Sequence, residues 1–168
     1  MRQDEEQQFR EYVGARGTAL LRLAVGIAGD RHAGEDLLQT ALAKVVVHWA
    51  AVTRADDRDA YVRRIIVTTH LSQARRKRVR EVLTFNLPDR GSNWTSAIED
   101  RQLLLPALAR LGPKQRAVLV LRYYEDRPDE EIARLLGCST ATVRSQAMRA
   151  LAALRDSPEL ALTFGDQR

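Results

Sequence analysis

Apolar side chains recur along this chain at intervals of three and four residues, the spacing that gathers them on one side of an α-helix. Phe9, Tyr12 and Val13, then Leu20, Leu21, Leu23, Ala24 and Ile27, predict two early helices broken near Gly14 to Gly17. Gly29 and Asp30 read as a breaker and a cap, after which His32 to Trp49 forms an amphipathic helix with Leu38, Leu42, Val45, Val46 and Trp49 on its buried side. Ala50 to Asp59 lacks periodicity and reads as a loop. Helical pattern resumes from Asp59 to about Arg80, with Tyr61, Val62, Ile65 and Ile66 as the apolar set. The β-branched run Ile65 to Thr69 lowers helix propensity, but the length and the absence of breakers favour helix over strand.

A second half follows a stretch rich in loop formers. Pro88, Asp89, Gly91, Ser92 and Asn93 place a linker after Val82. Ala97 to Leu111 is helical again, with Pro106 starting a new turn or kinking it, and Gly112–Pro113 ends it. Lys114 to Tyr124 carries Val118, Leu119 and Leu121. From Pro128 to Arg155 the pattern is helix, turn, helix. Pro128 has a φ suited to a first helical turn, and Asp129, Glu130 and Glu131 then meet the positive end of the helix dipole. Ile132, Ala133, Leu135 and Leu136 give a buried stripe, Gly137 supplies a left-handed stop, and Ser139 caps the second helix. Val143, Ala147, Ala150, Leu151 and Leu154 face inward there. After Asp156, Pro158 and Gly165 predict a loosely held tail.

Charge gives this pattern a chemistry. No acidic residue occurs from Ser139 to Arg155, whereas the preceding helix opens with three. A helix entering a major groove needs donors and no carboxylates, and Thr142, Arg144, Ser145, Gln146, Met148 and Arg149 supply such a face. An ordinary helical hairpin with a solvated basic face is the alternative. A second acid-free stretch, Tyr61 to Arg80, ends in Arg75, Arg76, Lys77, Arg78 and Arg80, beside His70, Ser72 and Gln73, a density that marks contact with nucleic acid. Glu35 and Asp36 lie near the start of their helix, with Glu35 and Gln39 one turn apart on an exposed flank. Dipole complementation explains them as well as docking of a basic partner does, and composition favours the former.

Composition narrows the classes. The 168 residues, 45% of them hydrophobic, suffice for a packed core, and the net charge of +5 suits a polyanionic partner. One cysteine, Cys138, allows no internal disulfide and no cysteine-built zinc site. His32, His48 and His70 are scattered, without metal-ligand spacing or a nucleophile elbow, which argues against an enzyme. The acidic, polar start MRQDEEQQ and the lack of a bilayer-length apolar run predict a cytoplasmic protein with no membrane insertion.

Two separated, ordered stretches carry a family resemblance. GDRHAGEDLLQTALAKVVVHW with DAYVRRIIVTTHLSQARRKR, and LGPKQRAVLVLRYYEDRPDEEIARLLGCSTATVRSQAMRALAALR, resemble the two domains of bacterial RNA polymerase sigma factors of the extracytoplasmic-function group. The resemblance implies an all-α fold of two small helical domains joined by a flexible linker. Its parts are a region 2-like domain over residues 1–81, a linker over 82–96, a region 4-like domain over 97–156 and a tail over 157–168. It implies no catalysis and no cofactor. Its partners would be core RNA polymerase, met at the β′ clamp helices and the β flap, promoter DNA, and an anti-sigma factor where one restrains the protein.

By resemblance, Glu35, Asp36, Leu37 and Gln39 fall where the family meets the clamp helices, which reverses the weight of the dipole explanation. Val52 to Asp59 and Tyr61 to Arg78 fall where an unstacked base of the minus-ten element is captured. Arg54, Arg63, Arg64, Thr68, His70, Ser72, Gln73, Arg75, Arg76 and Lys77 are the candidates there, the arginines and the lysine for phosphates. The residues named on the last helix match the positions that read the minus-thirty-five element. Three departures bear on detail: Thr68 stands where the family commonly has Asn, Tyr61–Val62 replaces a frequent Trp-Leu pair, and Gln146 stands where a basic residue is usual. A stand-alone helix-turn-helix regulator, dimeric on a palindrome, is the rival reading.

Overall fold

The structure, a computed structural model, describes residues 1–84 and 104–158. The first helix, α1 (Gln3–Ala28), runs unbroken through Gly14 and Gly17, against the expected interruption. A glycine inside a helix costs about 1 kcal/mol against alanine, and the packing of α1 on its neighbours outweighs two such costs. Its start carries Asp4, Glu5 and Glu6, and the Glu5 carboxylate accepts from Arg2 N at 2.9 Å. It stops at Gly29, which takes φ +78° and donates its N–H to Val25 O.

Asp30 then caps α2 (Arg31–Val47), its carboxylate accepting from His32 N at 2.8 Å. The two helices form a hairpin whose closest approach is at Gly34. A Cβ built there would lie 2.5 Å from Val25 Cα and 2.7 Å from Val25 N, so only glycine lets the backbones meet. The core side of α2 is Leu37, Ala41, Val45 and, just beyond it, Trp49; Leu38 and Leu42 pack only at its margin. The buried stripe is thus rotated by about one residue from the expected one.

Ala50 to Arg54 is not loop. It belongs to α3 (Trp49–Arg54), where two alanines favour helix and Val52 is fully buried. Trp49 anchors this corner, edge-on to Phe9 at 5.4 Å and tilted on Tyr12 at 5.7 Å. Asp57 accepts from Ala60 N at 2.9 Å and opens α4 (Arg58–Thr84), which carries the β-branched run as helix. Asp59 ties α4 to α1 by accepting from the Tyr12 hydroxyl at 2.9 Å and pairing with Arg16 at 2.9 Å. Burial, and after it this carboxylate, raise the Tyr12 pKa.

In the second half the structure shows α5 (Leu104–Ala109), α6 (Pro113–Leu119), a π-helical turn at Val120–Tyr124, α7 (Asp129–Leu136) and α8 (Thr140–Arg155). The expected linker over 82–96 lies mostly outside the described residues, as do the start of the helix expected from Ala97 and most of the tail over 157–168; α4 itself reaches Thr84. Pro128 is the cap of α7 rather than its first helical residue, with ψ 153°. Gly137 takes φ +67°, and Ser139 Oγ accepts from Thr142 N at 3.1 Å, as the sequence predicts. All regular structure among the described residues is helical. The helices α1–α4 and α5–α8 do not stand apart: α1 and α4 pack against α6 and α7, and one core runs through both groups.

Candidate nucleic-acid interface

The face of α8 follows from what its other face buries. Val143, Ala147 and Ala150 are fully buried, which leaves Thr142, Arg144, Ser145, Met148 and Arg149 exposed and Gln146 half-buried. Met148, 72% exposed, is an apolar contact point among donors. Arg144 leans on the preceding helix: its Nε lies 3.5 Å from Asp129 Oδ2, and Arg122 Nε holds the other oxygen at 3.2 Å. The predicted reading face is therefore presented whole.

A second surface forms where α2 meets α4. Lys44, His48, Tyr61, Arg64, Ile65 and Thr68 line an open cleft of about 390 Å³, of the order of small-ligand sites. Tyr61 and Ile65 offer an apolar wall, and Lys44, His48 and Arg64 offer polar and charged groups at its edge. Lys44 Nζ donates to Thr69 Oγ1 at 3.1 Å, which draws its charge toward α4. The Thr68 hydroxyl donates back to Arg64 O at 2.8 Å, so only its lone pairs face the cleft. Ser72 and Gln73 are half-buried, and Arg75, Arg76, Lys77 and Arg78 are exposed farther along α4. Arg54 is exposed at the end of α3. Lys44 and His48 escaped the sequence reading, although their spacing of four residues on α2 matches that of Arg64 and Thr68 on α4.

Two candidates lie elsewhere. Arg63 is 6% exposed and His70 7%, on the side of α4 that faces the second helical group, away from Arg64 and Thr68. Arg63 Nε lies 3.2 Å from Glu125 Oε2 and its Nη1 3.2 Å from Glu131 Oε1. In this arrangement neither is open to a strand of DNA. Beside them Arg116, 8% exposed, donates to Ile27 O at 2.6 Å, Leu111 O at 3.0 Å and Leu108 O at 3.4 Å. Burial lowers the Arg116 pKa, but the carbonyl ends of α1 and α5 hold the cation.

His70 reports on this contact. Burial first, then the Arg116 charge, push it down to about 4 from 6.5, against a hydrogen bond with the Pro113 backbone. Between those pH values the unfolded chain binds more protons than the folded one, so stability rises with pH across the window and is lost as pH falls through it. The loss should approach about 3 kcal/mol at its fullest. Urea midpoints at pH 7.5, 6 and 5 should therefore fall more steeply for the native chain than for His70→Leu; parallel curves would mean that His70 stays solvated.

On α2, Asp36 and Gln39 are exposed and Glu35 is half-buried, but Leu37 is 1% exposed and belongs to the core. Leu37 lies beneath the acidic face and cannot touch a partner without unfolding the helix. Because α2 begins at Arg31, Glu35 and Asp36 fall in its second turn, beyond the part where the dipole acts. They pair instead with Arg31 at 3.1 Å and His32 at 3.9 Å, both exposed contacts of small energetic weight.

Comparison with known proteins follows this division. The family Sigma-70, region 4, matches residues 101–154, which contain α5 to α8. An RNA polymerase sigma-E factor of Streptomyces antibioticus is 42% identical over 160 residues, covering 95% of this chain and 89% of its own. An ECF RNA polymerase sigma factor, SigL, of Mycobacterium tuberculosis is 27% identical over 90% of this chain and 89% of its own. Among solved structures, the sigma factor RpoE of Bartonella quintana, crystallised in complex with the anti-sigma factor NepR, superposes with a TM-score of 0.68 at 25% identity. That match covers 89% of this chain and 96% of the other.

Proposed function

Because this chain belongs to the RNA polymerase sigma factors, within the extracytoplasmic-function group, we propose that its two helical groups divide the reading of a promoter between them. It binds core RNA polymerase and directs initiation at chosen promoters; the protein is a specificity subunit rather than a catalyst. The observation that carries the division of labour is the pairing, in one chain, of a capped acid-free helix with a cleft between α2 and α4. On α8, Thr142, Arg144, Ser145, Gln146, Met148 and Arg149 read the minus-thirty-five element as duplex, where donors on a helix meet base edges in the major groove. The cleft takes an unstacked base of the minus-ten element, with Tyr61 and Ile65 against its face and Lys44, Arg64 and Thr68 at its edge. Arg54, Ser72, Gln73, Arg75, Arg76 and Lys77 follow the strand.

Among the described residues no helix is long and apolar enough to cross a membrane, and the protein acts where the polymerase is, in the cytoplasm. Polymerase docking uses the acidic face of α2, Glu35, Asp36 and Gln39, on the β′ clamp helices, and α5 to α8 on the β flap. A restraining partner of the anti-sigma class, as the Bartonella title names for that relative, suits this chain too. The deciding experiment is gel filtration with core polymerase free of other sigma factors, followed by run-off transcription. Co-elution and promoter-dependent transcripts are expected; DNA binding by the chain alone, with no co-elution, would favour a stand-alone regulator.

The acidic face makes a sharper test. Glu35→Lys combined with Asp36→Lys should weaken core binding about tenfold or more, since opposed charges at an interface act on both approach and release. Stability should change by less than about 0.5 kcal/mol, because both side chains are solvated. Unchanged affinity in a titration with labelled core would leave this face without a role in docking.

A further inference from the structure

The surface shared by the end of α1 and one side of α4 is built to be covered. Arg63 and His70 interrupt an otherwise apolar stripe that includes Val62, Ile66 and Val67. A buried arginine in mid-helix needs a carboxylate, and those it finds lie 62 and 68 residues further along the chain, on Glu125 and Glu131. Glu131 belongs to the first helix of the helix-turn-helix, and Glu125 follows the π-helical turn. Asp126, the one non-glycine residue with positive φ among the described residues, turns the chain directly after Glu125, and Arg127 donates to Glu125 O at 2.8 Å. On α1 the fit is as close: a Cβ on Gly26 would lie 3.2 Å from a Val120 methyl, and Arg116 reaches Ile27 O.

We infer that this α1–α4 surface is a docking site for the chain's own helix-turn-helix unit, and that the Arg63–Glu125–Glu131 latch holds free protein in a form unable to span a promoter. The consequence rests on the sigma reading. Elements at minus ten and minus thirty-five are about 25 base pairs apart, or about 85 Å along the duplex at about 3.4 Å per pair. A packed chain of this length has a radius of gyration of about 15 Å and so extends about 40 Å. With the two helical groups in contact, α8 and the α2–α4 cleft cannot both reach their elements. Opening must therefore precede promoter engagement, and binding to polymerase, which holds the two groups apart, supplies it. Glu125 and Glu131 take the place on Arg63 that a phosphate would occupy, so opening also returns a cation to the minus-ten side.

Small-angle X-ray scattering of the full chain tests the latch without polymerase or DNA. The native protein should give compact dimensions, and Glu125→Lys with Glu131→Lys a clearly larger radius of gyration with unchanged helical circular dichroism. Combining Arg63→Glu with Glu125→Arg and Glu131→Arg should restore compactness, which guards against misfolding of the first variant. The opened variant should also bind core polymerase several-fold more tightly, since the closed population no longer competes. A native chain that scatters as two separated units, or a lysine variant of native dimensions, overturns the latch. If the variant opens but neither form binds core, the sigma reading fails and the intramolecular latch stands.

Discussion

Gly34→Ala should destabilise the protein by about 3 kcal/mol, near the upper end of what overpacking by one methyl costs. The added carbon would fall within 2.7 Å of three Val25 atoms, two of them backbone, so no rotamer change relieves it. The α1–α2 hairpin would have to part, and with it the contacts of Leu23 and Ile27 with Leu37 and Ala41. For a chain of this size that corresponds to a fall in Tm of roughly 6 to 12 °C. Gly14→Ala provides the opposite sign. It lies within α1 with nothing near the new methyl, so it should stabilise by about 0.5 to 1 kcal/mol. Thermal melts of the two variants beside the native chain decide the matter; a neutral Gly34→Ala would mean the hairpin is looser than its geometry.

Those two glycines show where sequence and structure part. Read along the chain, Gly14 and Gly17 look like breakers and Gly34 like nothing in particular. The opposite holds, because what a glycine does depends on what stands opposite it, and that partner is set by packing. The elements that pattern did reveal, α2, α4, α7 and α8, carry local instructions: Asp30, Gly137 and Ser139 each form the cap or stop that their residue type predicts. The segment from Ala50 to Arg54 lacked a periodic signal because six residues are too few to show one, and a single buried valine anchors it. The π-helical turn at Val120–Tyr124 has no signature in residue type at all.

The candidate site divides in the same way. The face of α8 was legible because the buried stripe Val143, Ala147 and Ala150 fixes the helix's rotation, leaving only one side for the donors. On α2 and α4 the apolar stripes are wide, and an error of one residue turns the helix by about 100°. That is enough to place Leu37 on the surface in the reading when it lies in the core. It also counted Arg63 and His70 with Arg64 and Thr68, although the two pairs lie on different sides of α4. An arginine's charge gives no hint of its facing. Only the distant Glu125 and Glu131 explain why Arg63 can be buried, and a pairing across more than sixty residues is not visible in local spacing.

Arg149→Ala and Arg64→Ala should each lower run-off transcription from a matched promoter by about 5- to 150-fold, the span of 1 to 3 kcal/mol for one good contact to a base or its phosphate. Arg149 is exposed on α8 and Arg64 lines the cleft, so both should leave core binding and the melting temperature nearly unchanged. The two residues share no partner, and the losses should therefore multiply in the double variant. Promoter substitution separates the roles. Changing the minus-thirty-five sequence should cost the Arg149→Ala protein little further activity while still penalising Arg64→Ala, and changes at minus ten should do the reverse. If Arg149→Ala weakened core binding as much as transcription, α8 would be a docking helix, and its freedom from acids would reflect an acidic protein surface instead of a groove.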